Sequence, residues 1–145
     1  MAESLKAWAR RLWQSFKLTI EKWLALQAGQ KNLCAICGQE EKPDKKTGKL
    51  RRLATDHDWI SGECRGLLCR RCNTLLGRLE RGGRSGQPWT LDELKAAVAY
   101  KEEPPARAIL GYIHIGYAGS VSTKAHRKRL RREAKAAAKL ENFLS

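Results

Sequence analysis

Two C-x-x-C pairs frame the stretch in which chemistry can be placed. Cys34 and Cys37 open it; Cys69 and Cys72 close it. A C-x-x-C turn folds two thiolates onto one side of a tight loop, and two such turns set face to face supply the four tetrahedral sulfur ligands that structural zinc prefers. Disulfides or four merely buried thiols are the competing reading. A lysine-rich chain without a secretory leader pattern disfavours it. The remaining cysteine, Cys64, reads as a small packing residue.

The span between the pairs carries Asp56-His57-Asp58, and Asn73 directly follows the last cysteine. Hydrolysis of a phosphodiester needs a water nucleophile, a base to take its proton, and a cation to neutralise the developing charge. His57 titrates in the right range for the base. The carboxylate of Asp56 and the amide oxygen of Asn73 are hard ligands suited to magnesium or manganese. D-H-D alone is a weak signal, because a lone histidine is usually structural. Enclosed between two cysteine pairs and followed by Asn73, it predicts a second metal site distinct from the cysteine cluster.

The elements that must position these groups follow from periodicity. Leu5, Trp8, Leu12, Phe16, Ile20 and Trp23 recur at three and four, which predicts one amphipathic helix over residues 3–28, stopped at Gly29. Trp13 and Leu24 widen its apolar stripe beyond the needs of a small module. A helix packed only on its own domain competes with one that also meets a second copy; the width of the stripe leads to the expectation of a homodimer built partly on that helix. Residues 39–49 are polar, with turn signals at Pro43-Asp44 and Thr47-Gly48. Residues 50–55 and 63–68 read as a hairpin, and Cys72, Leu75, Leu76 and Leu79 as a helix with Asn73 on its first turn. Thr90-x-x-Glu93 has the form of a capping box; the helix it opens carries Leu91, Leu94, Val98 and Lys101 and ends at Pro104-Pro105. Residues 107–121 give no assignable pattern. Ser122-Thr123 can cap a last helix running to about Leu140. The chain therefore divides into an N-terminal helix (1–29), a cysteine-framed module (30–83), a linker and capped helix (84–105) and a basic extension (106–145).

The formal charge is +14 in 145 residues, and the sequence pI is about 10.0. Such a chain is drawn to polyanions, with binding that weakens as salt rises. Nucleic acid is the favoured partner, although charge alone does not separate DNA from RNA. Residues 121–145 hold eight Lys/Arg against two Glu, including Arg127, Lys128, Arg129, Arg131 and Arg132. These are candidate phosphate contacts, against the alternative of a solvated charged face. Arg65, in the second strand, is a further candidate for nucleic-acid contact. Charges interrupt every apolar run, so no membrane span is expected and the predicted compartment is the cytoplasm.

Cys34-Ala-Ile-Cys37-Gly38, Asp56-His57-Asp58, Arg65-Gly-Leu-Leu-Cys69 and Cys72-Asn73 together resemble the recombination endonuclease VII family of phage HNH nucleases. The resemblance covers residues 22–80 and extends more loosely to the helix ending at Pro105. It implies an α+β fold: a ββα-metal (HNH) module with a four-cysteine structural zinc, flanked by helices. It also implies magnesium-dependent DNA cleavage, with a founding member that resolves branched DNA as an intertwined dimer. Zinc would then sit on Cys34, Cys37, Cys69 and Cys72, the catalytic cation (Mg2+ or Mn2+) on Asp56 and Asn73, and the general base would be His57. A phage origin would make the compartment the host-cell cytoplasm. The family pattern reads D-H-x-H, and here Trp59 stands at the second histidine. Arg65, Lys49 and His114 are the groups available to replace it.

Three functions compete on these residues. The first is a divalent-metal-dependent endonuclease for branched, nicked or double-stranded DNA. The second is a zinc-stabilised nucleic-acid-binding protein with weak or no catalysis, and the third a zinc module that only fixes helices for assembly. The presence of Asp56, His57 and Asn73 together favours the first, because neither of the others needs all three.

Overall fold

The computed structural model describes residues 4–82, 89–115 and 124–144, the side chains of 124–130 excepted. The predicted single N-terminal helix is two helices, α1 (Leu5–Phe16) and α2 (Ile20–Gly29). The break is local chemistry. Lys17 adopts the left-handed region (φ 53°), and its N–H closes α1 on the carbonyls of Leu12 and Trp13. Leu18 is fully buried, and the Thr19 hydroxyl then caps α2 by accepting from the Lys22 N–H at 3.3 Å. The apolar stripe is thereby split. Trp8 and Leu12 are buried from α1, Trp23 and Leu26 from α2, while Leu5, Trp13 and Leu24 stay exposed.

A two-stranded antiparallel sheet follows, β1 (Ala54–His57) against β2 (Cys64–Leu68), and then α3 (Arg70–Glu80). β1 begins later than residues 50–55 suggested, so Asp56 and His57 lie within the strand. Ala54, Thr55 and Asp56 pair with Leu68, Leu67 and Gly66, but His57 pairs with Cys64, which leaves Arg65 as the extra residue of a β-bulge. Such a bulge re-aims a side chain at the cost of one unpaired position. The turn is fixed by Asp58, whose Oδ1 accepts the N–H groups of Ile60 (2.7 Å) and Ser61 (2.8 Å).

The far edge of β2 is satisfied by a side chain. Gln30, the cap of α2, donates to the Leu67 carbonyl and accepts from the Leu67 N–H, each at 2.8 Å, as a neighbouring strand would. The remaining helices are α4 (Leu91–Glu102), α5 (Pro105–Leu110) and α6 (Lys124–Leu144). The Thr90–Glu93 capping box is present. Pro105 does more than stop α4, because it occupies the first turn of α5, where its missing N–H costs nothing. Part of the unassigned 107–121 stretch extends the hairpin. The Cys64 N–H donates to Ile113 O at 2.8 Å and the Ile115 N–H to Gly62 O at 2.9 Å, burying both isoleucines. The last helix runs to Leu144, and its expected cap at Ser122-Thr123 lies outside the described residues.

The exposed face of α4 is a correction. Leu91, Leu94 and Val98 are exposed, and the helix packs through Ala97 and Tyr100 instead. Small residues let it come close, and the tyrosine reaches a buried polar partner beneath the hairpin.

Close approach also explains Gly66. A Cβ there would lie 2.9 Å from Pro105 Cγ and 3.0 Å from Gln30 Oε1. Gly66→Ala is expected to cost about 1–3 kcal/mol by overpacking. A denaturant midpoint unchanged from wild type would refute this close packing of α2 and α5 on β2.

Candidate metal centre and active site

The first cysteine pair sits on a tight turn. The Cys34 N–H donates to Gln39 O at 2.8 Å, the Gly38 N–H to Cys34 O at 2.9 Å, and Gly38 takes a left-handed φ of 68°. The second pair belongs to the start of α3. Cys69 is its cap and accepts from the Cys72 N–H at 3.4 Å, so Cys72 falls in the first turn. The four sulfurs lie within 4.8 Å of one another, and Cys37 Sγ and Cys69 Sγ are 3.8 Å apart. A zinc tetrathiolate with bonds of ~2.3 Å has sulfur–sulfur edges of ~3.8 Å, so the donor set fits a tetrahedral ion of that size. Crowding makes the thiols share their protons unevenly. Hydrogen bonds from Cys69 and Cys72 pull the Cys34 thiol far down, while those to Cys34 push the other two up. A bound cation would take the place of those protons. Cys64 is apart from the cluster, its thiol pushed up to about 12 by burial, in keeping with a packing role.

Strand alternation sends Asp56 and His57 to opposite faces of β1. On the His57 face, its ring centroid is 5.8 Å from Phe16 and 5.1 Å from Trp59. Burial lowers the His57 pKa below its ordinary value, with the Asp56 charge opposing. Asn73, half-buried on α3, lines a cavity of about 1050 Å³ whose wall also includes Phe16, Thr55 and Lys49. His57 and Asn73 thus belong to the same side of the hairpin. Of the three candidate substitutes for the missing histidine, Lys49 is the one on this cavity. Trp59 itself packs on the His57 ring, with the Arg81 guanidinium 5.7 Å from its own ring centroid.

On the other face the Asp56 carboxylate is 6% exposed and held from three directions. Its Oδ2 accepts from Arg65 Nε at 2.6 Å and from the Tyr100 hydroxyl at 2.7 Å; its Oδ1 accepts from Arg65 Nη2 at 3.1 Å. Arg65 also donates to Glu80 at 2.7 Å and lies 3.6 Å from Asp58. Burial pushes the Asp56 carboxyl upward, with the guanidinium and the phenol opposing. Burial would lower Arg65, but its hydrogen bonds to Asp56 and Glu80 carry it above the ordinary value. Desolvation together with the Asp56 charge keeps Tyr100 protonated as a donor.

The sequence-predicted groups therefore separate. The four cysteines come together, and His57 and Asn73 share a side. Asp56 turns inward to Arg65 and Tyr100. Arg65, expected at nucleic acid, is 2% exposed and serves as the partner of Asp56 and Glu80. Arg131 and Arg132 are exposed on α6; the side chains of Arg127, Lys128 and Arg129 lie outside the described residues. Tyr100 and Glu80 were missed. Tyr100 stood off the Leu91–Leu94–Val98 stripe, and the available signal was an aromatic hydroxyl among small residues on the opposite face.

The structure defines a mixed α+β protein, a hairpin and helix joined at a cluster of four cysteines able to hold a metal. The chain belongs to the recombination endonuclease VII family, whose pattern matches residues 9–105. It is 31% identical over 110 residues to the "Gene 59 protein" of Mycobacterium phage D29 and 29% identical over 110 residues to that of Mycobacterium phage L5. Each alignment covers 76% of this chain, which spans 59% of the length of these relatives. No solved structure matches the chain.

The buried network has a measurable weight. Arg65→Met leaves Asp56 and Glu80 without their common cation and is expected to cost about 3–5 kcal/mol. Tyr100→Phe keeps the ring and removes one donor, for about 1–3 kcal/mol. Equilibrium denaturation checks both, and a neutral Arg65→Met would show that the carboxylates are satisfied without it.

Proposed function

We propose that this chain is a divalent-metal-dependent endonuclease that hydrolyses phosphodiester bonds in DNA, with branched, nicked or double-stranded DNA as substrate, through an HNH-type ββα site stiffened by structural zinc. The observation that supports it most is the placement of His57 and Asn73 on one side of the hairpin, beside a basic cavity, inside the segment that matches the family. Zinc belongs on Cys34, Cys37, Cys69 and Cys72, where it ties the start of α3 to the first cysteine turn. His57 takes the proton of the attacking water. Asn73 offers its amide oxygen toward the cavity as a ligand for Mg2+ or Mn2+. Bound there, such an ion supplies charge stabilisation for the phosphate and the leaving oxygen. For Asp56 to join Asn73, Arg65 must release it, and Glu80 and Asp58 already share that guanidinium. Arg127, Lys128, Arg129, Arg131 and Arg132 supply backbone attraction from α6.

No described helix is long and apolar enough to cross a membrane. The phage relatives support action in the host-cell cytoplasm. Homodimerisation through the N-terminal helices is part of the same proposal, supported by Trp13 and Leu24 standing outward at 54% and 47% exposure. Sedimentation of a monomer at micromolar concentration would remove the dimer. A second reading, a zinc-stabilised DNA-binding module without catalysis, draws on the Asp56–Arg65 pairing and on Trp59 against His57.

The deciding assay incubates supercoiled plasmid, linear duplex and a four-way junction with the protein, adding magnesium, manganese or neither. Metal-dependent cutting is expected. His57→Ala should abolish it while zinc content and DNA affinity stay near wild type; Asn73→Ala should also raise the divalent concentration required. Tight DNA binding without cutting of any substrate would put the binding module in the nuclease's place. Cys34→Ser, by contrast, should unfold the module, because metal binding is linked to folding. A folded, zinc-free protein by elemental analysis would exclude the zinc scaffold.

A further inference from the structure

The cavity beside Asn73 has a chemistry of its own. Four cations line it, Arg11, Lys49, Arg51 and Arg52, against Glu40 and Glu41. Arg51 pairs with Asp44, and Glu41 accepts the Arg70 N–H at 2.6 Å. Arg52 is exposed, and its guanidinium lies over the Trp8 ring, 3.9 Å from the centroid. Trp8 is in turn held edge-on by Trp23 at 5.1 Å, and Trp23 donates its indole N–H to Thr55 of β1 at 3.2 Å. The result is an exposed guanidinium on an aromatic base, lining the same cavity as Asn73.

A planar guanidinium backed by an indole accepts a nucleobase on its outer side, as arginine planes do with unstacked bases. Lysine and arginine around it meet the phosphates. Stacking surface combined with a positive groove is the arrangement that holds single strands without reading sequence. At about 1050 Å³ the cavity has room for a few nucleotides. We infer that this cavity is a binding channel for an unpaired DNA strand, with Arg52 on Trp8 as its base-stacking platform and Arg11 and Lys49 as its phosphate contacts. The inference rests on the nuclease reading for what the strand does at Asn73, and on the cavity alone for binding it. It implies that the substrate offers unpaired nucleotides next to the cut.

The test measures anisotropy of a short labelled oligodeoxythymidine and of a short duplex of equal length, using the zinc-loaded full chain without added divalent ions. Arg52→Ala should weaken single-strand binding about fivefold or more, the loss of one stacked base, and duplex binding less than twofold. Arg52→Lys should be as weak as Arg52→Ala, because it keeps the charge without the plane. Arg11→Gln and Lys49→Gln should each lower the single-strand salt slope by about 0.7. Zinc content and thermal midpoint confirm that each variant is folded. Wild-type binding by Arg52→Lys, or equal losses on both ligands, would overturn the platform. A protein that shows this pattern yet cuts nothing would overturn the nuclease reading and leave the channel standing; one that cuts DNA while Arg52→Ala binds normally would do the reverse.

Discussion

Arg65 is the residue on which the hairpin, its turn and the helices α3 and α4 close. Its guanidinium, nearly out of contact with water, meets Asp56 from β1, Asp58 from the turn and Glu80 from the end of α3, and Asp56 is shared with Tyr100 of α4. Taking a guanidinium and two carboxylates out of water costs several kcal/mol per ion, and the cost is met only when donors and acceptors match closely. Matching closely means that strand, turn and two helices have one mutual arrangement in which the network is complete. The bulge in β2 follows from the same demand, since regular pairing opposite Asp56 and His57 would leave Arg65 aimed elsewhere.

The cysteine cluster does comparable work at the other end of α3. Cys69 caps the helix and Cys72 fills its first turn, so a metal bound to both also fixes Asn73, one residue further on. Glu80, at the last residue of the same helix, is fixed by Arg65. α3 therefore has the four-cysteine cluster at its start and the charge network at its end. Between the two, Leu75 and Leu76 supply burial without choosing a register.

The sequence showed what repeats at short range or has few uses. Two C-x-x-C pairs, the capping box at Thr90 and the Asn directly after Cys72 are local patterns with a mechanism, and the cysteine cluster and helix starts appear where those patterns put them. The split between α1 and α2 was illegible because Phe16 and Ile20 keep helical spacing across it, while Lys17 and Thr19 supply the stop and the cap. The face of α4 was misread for a related reason: three exposed apolar residues outweighed Ala97 and Tyr100 by hydrophobicity. What decides that face is a hydrogen bond to a residue 44 positions away, Asp56, which no periodicity reports.

Asp56 and His57 show why adjacent residues need not act together. In a strand, neighbours face opposite ways, so the D-H dipeptide places one group in the interior and the other beside the cavity. The interior group is neutralised by protein charges; the histidine, on the other face, is half-buried against Phe16 and Trp59. A histidine so placed has its orientation set by packing, while burial lowers its pKa against the opposing charge of Asp56 on the far side of the same backbone. One path between the buried network and His57 thus runs through the peptide unit that joins Asp56 to His57 in β1. Arg65 also donates from Nη2 to the His57 carbonyl at 3.2 Å, so a change that loosens Arg65 reaches His57 by direct contact as well as along the strand.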